Sequence, residues 1–180
     1  MDNNNLEQTL VLIKPDALKN SLTGYLLSQI SEYHTGMYFS ALKVLEVNEM
    51  LAGEHYAEHR GKPFFPSLLE YISGKLHYPD NPNKRRVIAI VYQGPNAVAN
   101  LRAIAGPTNP HAARDEKPGC IRALGTVVPI FEGEKMIGQR MDNLIHGSAN
   151  LEDAEREIKL WFKPNEIPPK MQAFPTVQSD

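Results

Sequence analysis

Arg86-Val87-Ile88-Ala89-Ile90-Val91-Tyr92 is the clearest strand in the chain: a run of branched apolar residues with no helical spacing. Residues 96–105 follow it as a helix, with Val98, Leu101 and Ile104 on one side. Upstream, Tyr78-Pro79-Asp80-Asn81-Pro82-Asn83 has loop composition. Before it come a short helix over 65–72 and another over 49–59, which Asn48 can cap and Gly61 can end. Residues 39–47 read as a second strand. Leu18, Leu22, Leu26 and Ile30 recur every four residues, a helix stripe that starts near Asn20 or Ser21 and stops before Gly36. Thr9-Leu10-Val11-Leu12-Ile13, closed by Lys14-Pro15-Asp16, reads as a central strand. Downstream, residues 106–119 hold three prolines and several polar residues and read as a long loop. Residues 121–130 are a strand and 131–139 a hairpin-like excursion. Residues 151–162 form a last helix, with Leu151, Ala154, Ile158 and Trp161 apolar and Asn150 as cap with Asp153.

This order, two strand-helix-strand halves, predicts a ferredoxin-like βαββαβ sandwich of the α+β kind: a four-stranded antiparallel sheet covered by helices. A doubly wound parallel sheet is the competitor. The missing glycine-rich loop after the first strand speaks against its nucleotide-binding versions. The expected organisation is one domain over 1–163 and a proline-rich tail over 164–180.

The chain has 180 residues, 42% hydrophobic and 22% charged, as in an ordinary globular protein. With 19 Lys and Arg against 21 Asp and Glu, the net charge is −2. Wholesale nucleic-acid binding is therefore not expected, and any anionic ligand must meet local cations. The single cysteine, Cys120, excludes an intramolecular disulfide and reads as a small buried residue. No apolar run approaches a membrane span, and the first residues lack a secretory pattern, so the expected location is the cytoplasm.

Chemistry is concentrated in Asn143-Leu144-Ile145-His146-Gly147-Ser148. These residues put an imidazole in a Gly/Ser turn ahead of a helix that carries Glu157. A carboxylate that holds one ring nitrogen leaves the other free as a nucleophile. Lys14, Arg102 and Arg122 lie in segments able to bring cations to the same place.

Several segments in a fixed order resemble the nucleoside diphosphate kinase family from about Glu7 to Phe162. They are Lys14-Pro15-Asp16-Ala17; His55-Tyr56-Ala57-Glu58-His59 with Gly61-Lys62-Pro63-Phe64-Phe65; Gly94-Pro95-Asn96-Ala97-Val98; Thr108-Asn109-Pro110; Pro118-Gly119-Cys120-Ile121-Arg122; the His146 segment; and Ala154-Glu155-Arg156-Glu157-Ile158. The resemblance implies the ferredoxin-like fold and transfer of a terminal phosphate from a nucleoside triphosphate to a nucleoside diphosphate. It also implies a ping-pong scheme through a phosphohistidine, with Mg2+ carried on the nucleotide phosphates and no metal ligand from the protein. It assigns His146 as nucleophile, Glu157 to its far nitrogen and Ser148 to that carboxylate. Lys14 is implied at the transferred phosphate and the sugar hydroxyl, and Arg102, Thr108 and Arg122 on the phosphate chain. Asn143 falls to the sugar, Phe64 to the base and Tyr56 to the phosphate site. A homo-oligomer without membrane or specific nucleic-acid partners goes with it. The alternative is a non-catalytic nucleotide-binding or interaction module of the same fold.

The sequence departs from the family pattern in places. Ala149 and Asn150 follow the Gly-Ser where the family has an acidic residue, and Ala123-Leu124-Gly125-Thr126 replaces Gly-Asp-Phe. About ten extra residues separate Arg122 from Asn143, and further insertions fall around 75–85 and 112–116. His34, His77 and His111 read as surface or satisfied core residues. His55 and His59, four apart, read as a solvated helix face rather than a metal pair. Lys84-Arg85-Arg86 reads as a solvated strand entry.

Overall fold

The structure, a computed structural model, describes residues 6–168. Four strands form one antiparallel sheet: β1 (Leu6–Ile13), β2 (Tyr38–Leu45), β3 (Val87–Pro95) and the short β6 (Ile145–Gly147), in the order β2-β3-β1-β6. That order is the ferredoxin-like one predicted. Two further strands, β4 (Thr126–Glu132) and β5 (Lys135–Asp142), pair only with each other as a hairpin.

The inner strands β1 and β3 are apolar without alternation because both faces of the sheet are covered. Leu10 and Leu12 of β1, with Val87, Ala89 and Val91 of β3, point to one core. That core is completed by α4 (Glu49–His55), α5 (Phe65–Ile72) and α8 (Leu151–Trp161), through Ala52, Tyr71, Ile158 and Trp161. Val11, Ile13, Ile90 and Tyr92 point the other way. They meet α1 (Pro15–Lys19), α2 (Thr23–Gln29) and α6 (Ala97–Ala105) through Ala17, Leu26 and Leu101. The period of two along each strand thus separates the two cores.

The caps read from sequence hold. Asn48 accepts from the Leu51 N–H, and Asn150 accepts from the Asp153 N–H. Three expectations need correction. The helix expected up to Gly36 ends at Gln29 and is followed by the one-turn α3 (Glu32–Thr35), while the Leu18–Ile30 stripe is split between α1 and α2. Ser21, with φ +58°, breaks it, and two offset turns put the same apolar residues on the sheet. The supposed long loop contains α7 (Pro110–Glu116), whose Asn109 side chain accepts from the His111 N–H. Pro110 opens that helix at its first position rather than breaking it. The strand expected over 121–130 begins as a 3-10 turn, Ile121–Leu124, and becomes extended only in β4. The hairpin excursion is real and longer than 131–139, turning at Gly133.

Past α8 the chain makes a 3-10 turn, Pro164–Glu166, and Glu166 pairs with Lys43 of β2 at 2.7 Å. Ile167 is buried in the first core. The remainder of the proline-rich tail lies outside the described residues.

Candidate active site

β1 and β6 build the site together. β6 pairs with the end of β1, with His146 opposite Leu12 and Ile145 opposite Ile13. Lys14, one residue past β1, therefore lies beside the residues that lead into β6. Its backbone N–H donates to the Leu144 carbonyl at 2.9 Å. Leu144 has φ +71°, and the Ile145 N–H donates back to the Asn143 carbonyl at 2.8 Å, a γ-turn. Leucine is strained in that region of backbone space. The strain is held by Asp16, whose carboxylate accepts from the Leu144 N–H at 3.0 Å, and by burial of the Leu144 side chain. So the turn lies before His146, and the histidine itself stands in a strand rather than in the Gly/Ser turn expected.

His146 Nε2–H donates to Glu157 Oε2 at 2.9 Å. The same oxygen accepts from Ser148 Oγ at 2.7 Å, and Ser148 Oγ in turn accepts from the Leu10 N–H at 3.1 Å. A carboxylate oxygen with two donors fixes the imidazole tautomer and leaves Nδ1 as the lone-pair nitrogen. The His146 pKa is held well below the ordinary value by burial and then by the Lys14 and Arg122 charges. The ring is therefore neutral at physiological pH. Burial raises the Glu157 carboxyl, and the Ser148 hydrogen bond and Arg156 oppose that rise.

Four Lys and Arg residues line the same cleft, Lys14, Arg102, Arg122 and Arg140, the last of them paired with Asp142. Lys14 Nζ is buried and donates to Asn143 Oδ1 at 2.6 Å. Its pKa is pulled down to about 7 by burial first and Arg122 second. The Arg122 guanidinium is pinned by the carbonyls of Gly106 (2.9 Å) and Ile145 (3.2 Å), with Nε unpaired among the described residues. Burial and Arg102 lower it to about 10, so it stays charged. Arg102, on α6, is exposed. Asn143 Nδ2 donates to the Thr108 carbonyl at 2.8 Å, which ties the γ-turn to the segment before α7. Tyr56, buried with its hydroxyl unpaired among the described residues, and the half-buried Phe64 line the other side.

The cleft encloses about 330 Å³. The structure thus gathers Lys14, Tyr56, Phe64, Arg102, Thr108, Arg122, Asn143, His146 and Glu157 around one space, with Ser148 directly behind Glu157. A neutral nucleophilic nitrogen, fixed cations and an aromatic face suit transfer of a phosphoryl group from an aromatic-based phosphate ester.

His55 corrects the sequence reading. It is 3% exposed, not on a solvated face. It ends α4, and α8 brings Trp161 over it, so that Trp161 Nε1–H donates to His55 Nδ1 at 3.1 Å. The His55 ring stands edge-on to His146 with centroids 4.4 Å apart. His55, His146 and Glu157 have ligand atoms within 4.8 Å, a spacing that suits a metal. The Trp161 donor leaves the His55 proton on Nε2, which has no partner among the described residues, and His146 Nε2 is already engaged with Glu157, so His55 packs against that pair without bonding to it. His59 lies beside Glu58 and against Phe64, with ring centroids 5.5 Å apart. His77, read as a satisfied residue, pairs with Asp142 at 3.2 Å. Cys120 is buried, as expected.

The site so built suits a phosphotransferase, and comparison with known proteins specifies the family. The sequence model of the nucleoside diphosphate kinase family matches residues 7–167. A nucleoside diphosphate kinase of Thermus thermophilus is 39% identical over 163 residues, covering 90% of this chain and 99% of that protein. The nucleoside diphosphate kinase of a Mycobacterium species (strain MCS) is 43% identical over 156 residues, with coverages of 87% and 96%. A crystal structure of the Aquifex aeolicus nucleoside diphosphate kinase superposes with a TM-score of 0.72 at 34% identity, over 91% of this chain and 99% of that one. The chain belongs to the nucleoside diphosphate kinase family.

Proposed function

We propose that the protein transfers the terminal phosphate of a nucleoside triphosphate to a nucleoside diphosphate through a phosphohistidine at His146. The observation that carries this reading is the Glu157 carboxylate on Nε2, which leaves His146 Nδ1 unprotonated at the edge of a cationic cleft. Nδ1 attacks the γ-phosphorus, the bond to the β-phosphate oxygen breaks, and the diphosphate leaves. The same steps run backwards on a second nucleoside diphosphate and restore neutral His146, which is a ping-pong cycle in one site. Glu157, backed by Ser148, orients the ring and stabilises the positive charge that develops on it.

Lys14 meets the transferred phosphate and the sugar hydroxyl, while Arg102, Arg122 and Thr108 hold the phosphate chain. Fixed guanidinium donors suit phosphate oxygens. Tyr56 lines the phosphate site. Asn143 reaches the sugar, and Phe64 stacks on the base, which tolerates any base face.

Magnesium prefers oxygen ligands and keeps several waters. Glu58 and Glu157 are the carboxylates that line the cleft, and Glu157 is engaged with His146 and Ser148. The donor set therefore fits a magnesium ion that rides on the nucleotide phosphates, where it neutralises charge, and no residue of the chain is assigned as its ligand. We also infer a homo-oligomer in the cytoplasm, acting on free nucleotides rather than on nucleic acid, with residues 1–163 as the catalytic domain and 164–180 as an appended tail whose first turn, through Ile167, packs on that domain. Among the described residues no helix is long and apolar enough to cross a membrane.

Incubation with γ-labelled ATP is expected to give an acid-labile, alkali-stable phosphoprotein that passes its label to any added nucleoside diphosphate. Label no higher than in a His146→Ala control would overturn the kinase reading and favour a binding module.

A further inference from the structure

We propose that a second cleft, between the end of α1 and the loop that leads into β3, is an anion site that holds the diphosphate group of a small ligand. It goes beyond the kinase reading and does not depend on it. The loop falls in the stretch around 75–85 that is extra to the family pattern. The cleft encloses about 490 Å³.

Three cations meet there from two distant segments. Lys19 ends α1, and Lys84 and Arg86 stand at the entry to β3. Among the described lining residues Asp80 alone carries a carboxylate, so the three cations leave an excess of two positive charges. Neither Asp80 nor any other carboxylate of the described residues forms an ion pair with Lys19, Lys84 or Arg86. Like charges brought together in this way repel, and an anion between them relieves the repulsion. Lysine offers phosphate oxygens a compact charge and arginine a fork of donors. A diphosphate group matches the excess better than a monovalent anion does.

The loop is fixed without a ligand. Arg85, the middle residue of the basic run, staples it: Nε donates to the Tyr78 carbonyl at 2.9 Å and Nη2 to the Pro79 carbonyl at 2.6 Å. Tyr78 is buried, its N–H donates to the Gly74 carbonyl at 2.9 Å, and Lys19 Nζ lies 5.3 Å from its ring centroid. Gly74 has φ +79°, and a Cβ there would stand 3.1 Å from Arg85 Cα, so glycine lets the two ends of the loop close. Arg86 Nη1 donates to the Lys84 carbonyl at 2.8 Å. A loop held by these contacts presents its cations with little further ordering on binding. His77 lines this cleft and pairs with Asp142 at 3.2 Å, while Arg140, the other partner of Asp142, lines the active-site cleft. The two clefts are therefore neighbours, with no lining residue in common.

The test is lysine acylation footprinting of the full-length protein with inorganic pyrophosphate or ADP added at constant ionic strength, read residue by residue by mass spectrometry. Lys19 and Lys84 are expected to be protected together, at one half-protection concentration, while the exposed Lys62 and Lys135 react as before. Protection by either ligand supports the site, and the ligand with the lower half-protection concentration identifies its source as free diphosphate or nucleotide. Arg86→Gln is expected to raise that concentration about five- to tenfold, the worth of one charge-assisted hydrogen bond discounted for solvent. Lys84→Gln, at an exposed residue, should do the same as read on Lys19. Arg102→Ala, in the active-site cleft, should leave it unmoved. Protection of Lys62 and Lys135 equal to that of Lys19 and Lys84, no protection at all, or a half-protection concentration that moves with Arg102→Ala and not with the other two variants would overturn the proposal. Footprinting needs no phosphoryl transfer, so this outcome is separate from that of the labelling experiment.

Discussion

Nucleotide binding should draw a proton into the site, and Lys14 is its destination. The fold pulls the Lys14 pKa from 10.5 to about 7, chiefly by burial and next by Arg122, with Asp16 and Asp142 pulling the other way. The folded value lies below the ordinary one, so the fold favours the neutral amine. Below about pH 7 Lys14 is charged, and its burial costs stability. That cost is relieved as pH rises from 7 toward 10.5. A nucleotide reverses the preference, because its phosphates favour the ammonium form. At pH 8 about a tenth of the free protein carries the Lys14 proton, and nearly all of the complex does, so binding takes up about 0.9 proton. At pH 6 the Lys14 share of the uptake falls to about 0.1 proton, since Lys14 is already charged. The nucleotide's own phosphates are ionised at pH 8 and contribute little. Calorimetry of ADP binding in buffers of low and high ionisation enthalpy reads the number directly. Uptake near zero at pH 8, or the same uptake in Lys14→Met, would refute the assignment of the proton to this lysine. The same linkage makes affinity decline as pH rises from about 7, by up to about tenfold per unit.

Two further outcomes follow from the hydrogen bonds and packing around His146. Glu157→Gln replaces an obligatory acceptor with a group that can donate to Nε2 and push the proton onto Nδ1. We expect phosphohistidine formation in rapid-mixing labelling to slow by about 10- to 100-fold, and an unchanged rate would show that the carboxylate does not set the tautomer. Gly147→Ala would place a Cβ 2.5 Å from Leu101 Cδ2, on a fully buried side chain. A loss of about 1–3 kcal/mol in urea unfolding, with slower labelling of His146, is expected as β6 shifts; an unchanged unfolding midpoint would mean that Leu101 yields freely.

The inner strands and the helix caps were legible because their causes are local. The apolar runs of β1 and β3, the Asn48 and Asn150 caps and the alternation of the α8 face are written in adjacent residues. What escaped was decided at a distance. Nothing near Ser21 marks a left-handed residue in the middle of a leucine stripe; the break exists because α1 and α2 must both lay apolar residues on one sheet face. Pro110 is a helix opener only because Asn109 turns its side chain to the His111 N–H, and a proline-rich composition hides that. The 3-10 turn at Ile121–Leu124 follows from burial of Arg122, whose guanidinium needs the carbonyls of Gly106 and Ile145 more than the chain needs another ladder.

The site divides in the same way. Residues that face the cleft carry chemistry in their own side chains, so motif order was enough to nominate them. The residues that hold them do not advertise themselves. His55 was assigned to a solvated face because a histidine four residues from another on a short helix gives no sign of a tryptophan 106 residues later in the chain. Asp16 stands inside a quoted motif, but its work, gripping the N–H of a leucine forced to φ +71°, becomes visible only when β1 and β6 are paired. The pairing explains why both must be there. β6 is three residues long and hydrogen-bonded to β1 alone, too short to hold its own register. Asp16 and the Lys14 N–H clamp the turn that enters it, and Ser148 bridges Leu10 and Glu157 at its exit. A nucleophile on a longer strand would need no such clamps, but its neighbours would also be fixed by the ladder. On this short strand, Asn143 and Ser148 at either end keep their side chains for the site.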